Sequence, residues 1–130
     1  MTKLFTLDEA NALLPRLEQI VEELWSTRQS ITNAQRDATD VARQARRNGH
    51  DRTGDISEAR RRLSDLISRF DSSIKSIGDL GCELKDLDIG LFDFRSIREG
   101  RVVYLCWKVG EPEIGFWHDL QEGYAGRRPL

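Results

Sequence analysis

Residues 10–45 read ANALLPRLEQIVEELWSTRQSITNAQRDATDVARQA, and apolar side chains recur in them at alternating spacings of three and four residues. Ten of the eleven positions in this series are apolar, with one threonine as the exception. A heptad pattern of this length predicts a long helix that packs lengthwise on another helix. The eleven positions are Ala10, Leu13, Leu17, Ile20, Leu24, Thr27, Ile31, Ala34, Ala38, Val41 and Ala45.

The first helix is predicted over residues 5–46, with a start signal in Phe5-Thr6-Leu7-Asp8-Glu9. The Thr6 hydroxyl can accept from the free amides of the first turn, and Glu9 can bond back to the Thr6 amide. Pro15 lacks an amide hydrogen and crowds the preceding turn. It therefore either kinks this helix or divides it into a short helix over 7–14 and a long one. Glycine adopts the left-handed cap conformation easily, so Gly49 is expected to end the helix.

A second helix is predicted over residues 55–80, starting at Asp55 and ending near Gly78 and Gly81. Two heptad helices joined by a short loop predict an antiparallel, coiled-coil-like hairpin. Residues 5–21 extend beyond the second helix in this pairing, so we expect them to pack on the C-terminal third. The second heptad series is Ile56, Ala59, Leu63, Leu66, Phe70, Ser73, Ile77 and Leu80.

The C-terminal third changes to short segments rich in β-branched and aromatic residues, at Ile89–Phe94, Arg101–Lys108 and Glu113–His118. The turn residues Arg98-Glu99-Gly100 and Gly110-Glu111-Pro112 separate them. This pattern predicts a small three-stranded antiparallel β-meander within residues 82–122, followed by an irregular tail over 123–130. The predicted fold class is therefore α+β, with one domain over residues 1–130.

The strand register decides which side chains can meet. A turn at Gly110-Glu111 would place Cys106 opposite Gly115 and Val103 opposite His118. Cys106 and His118 then lie on opposite faces, so one metal ion could not take both as ligands. The face that carries His118 is almost entirely apolar and is expected to pack on the helices. Its members are Val103, Leu105, Trp107, Ile114, Phe116 and His118.

Candidate ligand side chains are concentrated around His118. We favour a structural role for this histidine, held by hydrogen bonds and without a cofactor, because no second histidine lies nearby to complete a usual transition-metal set. One alternative is a metal of unidentified kind held by His118, Asp119 and Glu122. Another is a catalytic site that uses Glu111, His118 and Asp119. His50 is expected to be a solvated residue of the hairpin loop.

Net charge is only -2, but it is unevenly distributed. Residues 43–62 hold seven arginines against three acidic residues, which gives this hairpin tip +4 and leaves -6 elsewhere. Such an asymmetry favours contact with an anionic partner, nucleic acid included. The alternative is a solvated helix end in which the arginines pair with nearby carboxylates. The seven are Arg43, Arg46, Arg47, Arg52, Arg60, Arg61 and Arg62.

The cellular location is predicted to be cytoplasmic. The N-terminus lacks the apolar stretch of a signal peptide, and no apolar run reaches membrane-spanning length. Cys82 and Cys106 lack CxxC spacing and are expected to be free thiols. The common catalytic motifs GxGxxG, HExxH, GxSxG and the Walker loop are missing, so the chain is not expected to be an enzyme.

Conspicuous motifs at both ends of the chain resemble one known family. They are Phe5-Thr6, Glu9-Ala10-Asn11, Leu14-Pro15, Gly90, Asp93-Phe94, Leu105-Cys106-Trp107, Gly110-Glu111, Trp117-His118-Asp119, Gly123 and Ala125-Gly126-Arg127. In these residues the chain resembles the prokaryotic domain-of-unknown-function family catalogued as 2203, although Tyr124 stands where a phenylalanine is expected. The resemblance implies a helical hairpin with a C-terminal block and no assigned reaction. It also implies that the site lies in the terminal blocks, with candidate binding residues Glu9, Asn11, Glu111, His118, Asp119 and Arg127.

The function predicted from these features is that of a non-enzymatic, homodimeric interaction or scaffold protein whose protein partner is not identified. Five apolar residues flank the heptad seam and form a second stripe in the same half of the hairpin. Pairing two hairpins into a four-helix bundle would bury that stripe. The predicted dimer interface consists of Leu14, Val21, Trp25, Ile67 and Ile74.

Overall fold

The computed structural model describes residues 3–48 and 53–130. The chain forms two compact units, which are described separately here. The helical unit is Glu23–Ile74, and the sheet unit contains the chain up to Glu22 and from Lys75 onward. The predicted single domain over residues 1–130 stays a prediction.

Two helices precede the sheet, α1 at Leu7–Asn48 and α2 at Thr53–Leu80. At the start of α1, Glu9 N donates to Thr6 Oγ1 at 3.1 Å and Thr6 N donates to Glu9 Oε1 at 2.9 Å, which confirms the predicted capping box. The helix continues through Pro15 without a break, which excludes the alternative of two separate helices, and the kink at Pro15 stays a prediction. In the described residues, no helix combines the length and the apolar character needed to span a membrane.

The heptad series explains which helix positions are covered. Every position of the α2 series from Ile56 to Leu80 is buried or half-buried, whereas most of the residues between them are exposed. In the helical unit, Val41 of α1 and Ala59 of α2 line a common cleft. These residues lie at similar distances from the connection between the helices, as expected for an antiparallel pair. The coiled-coil character of that pair stays a prediction.

Five strands follow the helices: β1 at Glu83–Asp86, β2 at Leu91–Arg98, β3 at Arg101–Lys108, β4 at Phe116–His118 and β5 at Arg128–Pro129. They form one antiparallel sheet in the order β1-β2-β3-β4-β5. The predicted three-stranded meander is therefore two strands short. Strand β1 was not predicted, because three residues of its sequence ELKD are charged and it lacks the β-branched and aromatic residues typical of strands. The predicted irregular tail contains a 3₁₀ turn at Tyr124–Gly126 and the edge strand β5, where a proline is tolerated.

The predicted register between β3 and β4 is wrong by one residue. His118 pairs with Tyr104, and Cys106 pairs with Phe116. The connection is not a two-residue turn, because Glu111 N donates to Lys108 O and Ile114 N donates to the Asn11 side chain of α1. A slip of one residue moves each side chain to the other face, so Cys106 and His118 share a face. The hairpin turn at Glu99-Gly100 is confirmed, and both residues have positive φ angles as a tight hairpin requires.

Both faces of β3 are buried from Val103 to Trp107. The segment before α1 helps to cover the sheet. Phe5 N donates to Arg95 O at 2.7 Å, and Ser96 Oγ donates to Phe5 O at 2.6 Å. The Phe5 ring meets Phe94 edge to face, with centroids 5.3 Å apart. Phe5 therefore continues the hydrogen bonding of β2 where its pairing with β1 has ended.

We predict that Phe5→Ala lowers the free energy of unfolding by about 3 kcal/mol, since it removes a large buried ring that fits against Phe94. Urea unfolding followed by near-ultraviolet circular dichroism measures this loss. Leu4→Ala is the control, because Leu4 is 47% exposed. A loss as large in Leu4→Ala as in Phe5→Ala would contradict the anchoring role of Phe5.

Candidate functional site

Three neighbouring strands each contribute one buried side chain to a cluster beneath the sheet surface. Asp93 of β2, Cys106 of β3 and His118 of β4 are 3%, 0% and 1% exposed. Their ligand atoms all lie within 4.8 Å of one another. Asp93 and Cys106 are direct cross-strand partners, and His118 lies on the same face two pairs further along β3, opposite Tyr104. We call this group the Asp93 cluster.

The hydrogen bonds of His118 fix its tautomer. Nδ1 lies 2.8 Å from the backbone oxygen of Asp119, and a carbonyl can only accept. Nδ1 therefore carries a proton. A neutral imidazole then presents the lone pair of Nε2 to Asp93 Oδ1, which is 3.0 Å away. Two acceptors at this distance require a proton or another cation between them.

Burial also affects the acids of this cluster. Burial raises the pKa of the Asp93 carboxyl group, and the hydrogen bond and charge of His118 oppose that rise only in part. Burial raises the pKa of the Cys106 thiol to about 11, with the Asp93 charge adding to the effect and Arg127 opposing it. A cation in the cluster would stabilise the charged forms of both groups.

Arg127 covers the cluster from the C-terminal segment. Its Nη1 lies 4.0 Å from Cys106 Sγ, and its guanidinium group forms two hydrogen bonds to Glu111, at 2.7 and 3.1 Å. The guanidinium carbon lies 3.9 Å from the ring centroid of Phe116 and 4.5 Å from that of Tyr124. Paired and stacked in this way, Arg127 has little freedom to move away from the thiol.

The predicted binding residues are only partly brought together. Glu111 and Arg127 form the ion pair just described, and Glu111 Oε1 also accepts from Lys108 N. Asn11 anchors the connection before β4 through Ile114 N, at 2.8 Å. Glu9 bonds to Thr6 in the helix cap, and its role as a binding residue stays a prediction.

The two carboxylates of the alternative metal site, Asp119 and Glu122, form ion pairs with arginines. Asp119 accepts from Arg101 at 3.1 Å and lies 3.6 Å from Arg128, and Glu122 pairs with Arg128 at 2.9 Å. Glu122 Oε1 also accepts from Asp119 N. The structure therefore gathers a different set of side chains around the His118 imidazole.

The predicted exclusion of Cys106 from a joint site with His118 is wrong, because the true register places both on one face. Asp93 was missed as a site residue. One signal could have identified it, since Asp93 is the only charged residue in the segment Leu91-Phe92-Asp93-Phe94 and all four are buried. A carboxylate inside an apolar strand needs a partner. Both cysteines are free and buried.

The arginines of the hairpin tip are exposed wherever the structure describes them. Arg43 lies 3.7 Å from Asp40 and Arg62 lies 3.8 Å from Glu58, as weak surface pairs. Arg46, Arg47, Arg60 and Arg61 are also exposed. Gly49, His50 and Arg52 lie outside the described residues. Contact of the tip with an anionic partner or nucleic acid stays a prediction.

The residues of the predicted dimer interface differ in burial. Leu14 is 5% exposed and Val21 is fully buried within the chain, so neither can contribute much surface to an interface with a second copy. Trp25 is half-buried, whereas Ile67 and Ile74 are 41% and 37% exposed. The predicted interface therefore depends on these last three residues.

We predict that Glu111→Gln destabilises the sheet unit by about 2 kcal/mol at pH 7, because it leaves Arg127 without its charged partner. Burial alone would raise the pKa of Glu111, but Arg127 and the Lys108 amide outweigh it and lower that pKa below 4.5. The stabilisation is thus present above pH 4.5 and is lost as the pH falls through the lowered pKa. The difference from wild type should shrink in acid, as measured by denaturant unfolding between pH 7 and pH 3.

Glu113→Gln is the matched control, since Glu113 is exposed and lies two residues away. It should change the free energy of unfolding by less than about 0.5 kcal/mol. A Glu111→Gln effect that stays constant from pH 7 to pH 3 would show that the ion pair is not its origin.

The comparisons with known proteins agree with the motifs at both ends of the chain. Neither a curated protein nor a solved structure gives a significant match. One family model, described as an uncharacterised conserved protein and named DUF2203, matches residues 3–130. The match covers almost the whole length, including each residue of the Asp93 cluster, and the chain therefore belongs to the DUF2203 family.

Proposed function

We propose that this protein binds one divalent metal ion of borderline hardness, such as Zn²⁺, through Asp93, Cys106 and His118. The observation that carries the proposal is the acceptor pair formed by His118 Nε2 and Asp93 Oδ1, 3.0 Å apart and buried. Because Nδ1 holds its proton for Asp119 O, either a proton or a metal cation must lie between the two acceptors. A metal ion supplies that cation and recruits Cys106 as well.

The dimensions and chemistry of the cluster fit such an ion. Zinc takes thiolate, imidazole and carboxylate ligands at about 2.0–2.3 Å, so tetrahedral ligand atoms lie roughly 3.3–3.6 Å apart. The ligand atoms of the Asp93 cluster are within 4.8 Å of one another, so no pair is much more than about an ångström too far apart, whereas His118 Nε2 and Asp93 Oδ1, at 3.0 Å, must separate by about 0.3 Å.

The surroundings of the cluster resemble those of metal-ligating histidines in general. Such histidines donate their second ring N–H to a carbonyl or carboxylate, which fixes the ring and its tautomer. Asp119 O provides that acceptor here, and Arg127 Nη1 contacts the sulfur that would become a thiolate. A cysteine ligand also requires a reduced thiol, which supports the predicted cytoplasmic location.

We predict one metal ion per chain in the wild-type protein, measured by elemental analysis and by titration of the metal-free protein with Co²⁺. The absorption band of a cobalt–thiolate bond should increase in proportion to the amount of Co²⁺ bound. Asp93→Asn, Cys106→Ser and His118→Gln should each weaken Co²⁺ binding by more than the roughly 10–100-fold that accompanies loss of an outer partner. Asp93→Asn preserves the shape of the side chain. Weaker Co²⁺ binding by this variant would therefore not be explained by misfolding.

Cys82→Ser is the matched control, because Cys82 is also a free and buried cysteine but is not part of the cluster. Its thiol donates to Ile77 O at 3.8 Å. The Cys82→Ser variant should bind Co²⁺ with the same affinity as the wild type. A wild-type protein without a stoichiometric site, or equal losses in the two cysteine variants, would refute the metal centre and leave the cluster as a structural hydrogen-bond network.

A second proposal retains the predicted homodimer with a non-enzymatic interaction role. It is supported by Ile67 and Ile74, which lie seven residues apart on one face of α2 and are both substantially exposed. Half-buried Trp25 belongs to the same unit and adds an aromatic anchor of the kind that interfaces favour.

We predict that Ile67→Lys combined with Ile74→Lys converts a dimer to a monomer, because two charges would be forced into an apolar interface. Light scattering at micromolar concentration measures the mass. Ile97→Lys is the control, since Ile97 is an exposed isoleucine of the sheet unit and should leave the dimer intact. A monomeric wild type under these conditions would refute the dimer.

A further inference from the structure

The sheet unit contains an open cleft that the Asp93 cluster does not use. Its volume is about 430 Å³, and it lies between the segment before α1 and the C-terminal end of β2. Phe5, Ser96 and Leu105 are the buried residues of its lining. We call it the Phe5 cleft. Sites for small ligands commonly measure roughly 300–1,000 Å³, so the volume suits one small molecule.

The rim of the Phe5 cleft is apolar and exposed. Leu4, Leu7, Ile97 and Leu130 line it and are 47%, 40%, 54% and 44% exposed. Four such side chains around one concavity form a contiguous apolar patch, and patches of this kind on soluble proteins mark binding sites.

Each polar side chain of the lining has a hydrogen bond or ring contact within the chain, and Arg98 is the one that carries a charge. Ser96 donates its hydroxyl hydrogen to Phe5 O, and the Thr6 hydroxyl accepts from Glu9 N. Arg98 also lines the cleft, and its guanidinium carbon stacks 4.8 Å from the ring centroid of Trp117. None of the ion pairs recorded between described residues includes Arg98.

Two neighbouring arginines show how Arg98 differs. Arg101 and Arg128 also stack on Trp117, at 5.6 and 4.9 Å, but they form ion pairs with Asp119 and, for Arg128, with Glu122. Arg98 is thus positioned by the same ring and retains its hydrogen-bond donors for another acceptor. A guanidinium group with this geometry suits a carboxylate or sulfonate.

We propose that the Phe5 cleft binds a small amphipathic anion, with an apolar body against Phe5 and Leu105 and an acidic head group on Arg98. The charge of Arg98 and the apolar rim together select this class of molecule. A neutral apolar compound would leave the guanidinium group unpaired, and an inorganic anion would leave the rim uncovered.

Two fluorescent probes that share one ring system test the proposal. They are 1-anilinonaphthalene-8-sulfonate, which carries an acidic group, and N-phenyl-1-naphthylamine, which lacks it. The wild type should bind one sulfonate probe per chain about tenfold more tightly than the neutral probe, as expected for one charge-assisted hydrogen bond. Decanoate should displace the sulfonate probe.

Variants then locate the site. Arg98→Gln should remove the preference for the sulfonate probe and leave binding of the neutral probe unchanged. Ile97→Asp should weaken both probes at least tenfold, because it places a carboxylate on the apolar rim. Ile89→Asp, at a similarly exposed isoleucine that does not line the cleft, should weaken neither. Melting temperatures verify that all three variants are folded.

Three results would overturn the proposal. One is probe binding that Ile97→Asp does not change, and another is an equal preference for the sulfonate in wild type and Arg98→Gln. The third is a wild-type dimer, detected by light scattering, that Ile97→Asp dissociates, because the occupant of the cleft would then be a second copy of the chain.

Discussion

The pairing of β3 with β4 is the constraint on which the site depends. Because His118 lies opposite Tyr104, its imidazole projects from the face that carries Cys106, and the pairing of β2 with β3 adds Asp93 to that face. The register is held from outside the strands by the Asn11 side chain on Ile114 N and by Glu111 on the Lys108 amide. Polar side chains of α1 and of the connection therefore help to determine which groups of the sheet can meet.

The helices and the hairpin of β2 with β3 could be predicted because their signals are local. The Thr6 and Glu9 cap and the glycine after Leu80 each act within one or two helical turns, and both are confirmed, as is the burial of the α2 heptad positions. The Glu99-Gly100 turn is equally local, since two positive φ angles match what a tight hairpin demands.

The errors arose where distant groups decide the outcome. The β3–β4 register depends on Asn11, which is 103 residues from Ile114, and no turn rule contains that contact. Strands β1 and β5 are short, charged or proline-containing edges that exist because a neighbouring strand offers free backbone groups. Asp93 was overlooked for the related reason that its partners come from two other strands.

The two halves of the sheet unit are separated in the chain by the whole helical unit. Ser96 bonds to Phe5 across 91 residues, and Ile114 bonds to Asn11 across 103. Contacts of such high sequence separation slow folding, because a long loop must close before they can form. On a ribosome, the segment from Phe5 to Glu22 must remain without its native partners until the last strands have emerged. Until then its apolar side chains lack their native cover, and exposed apolar surface of this kind makes a nascent chain prone to aggregation.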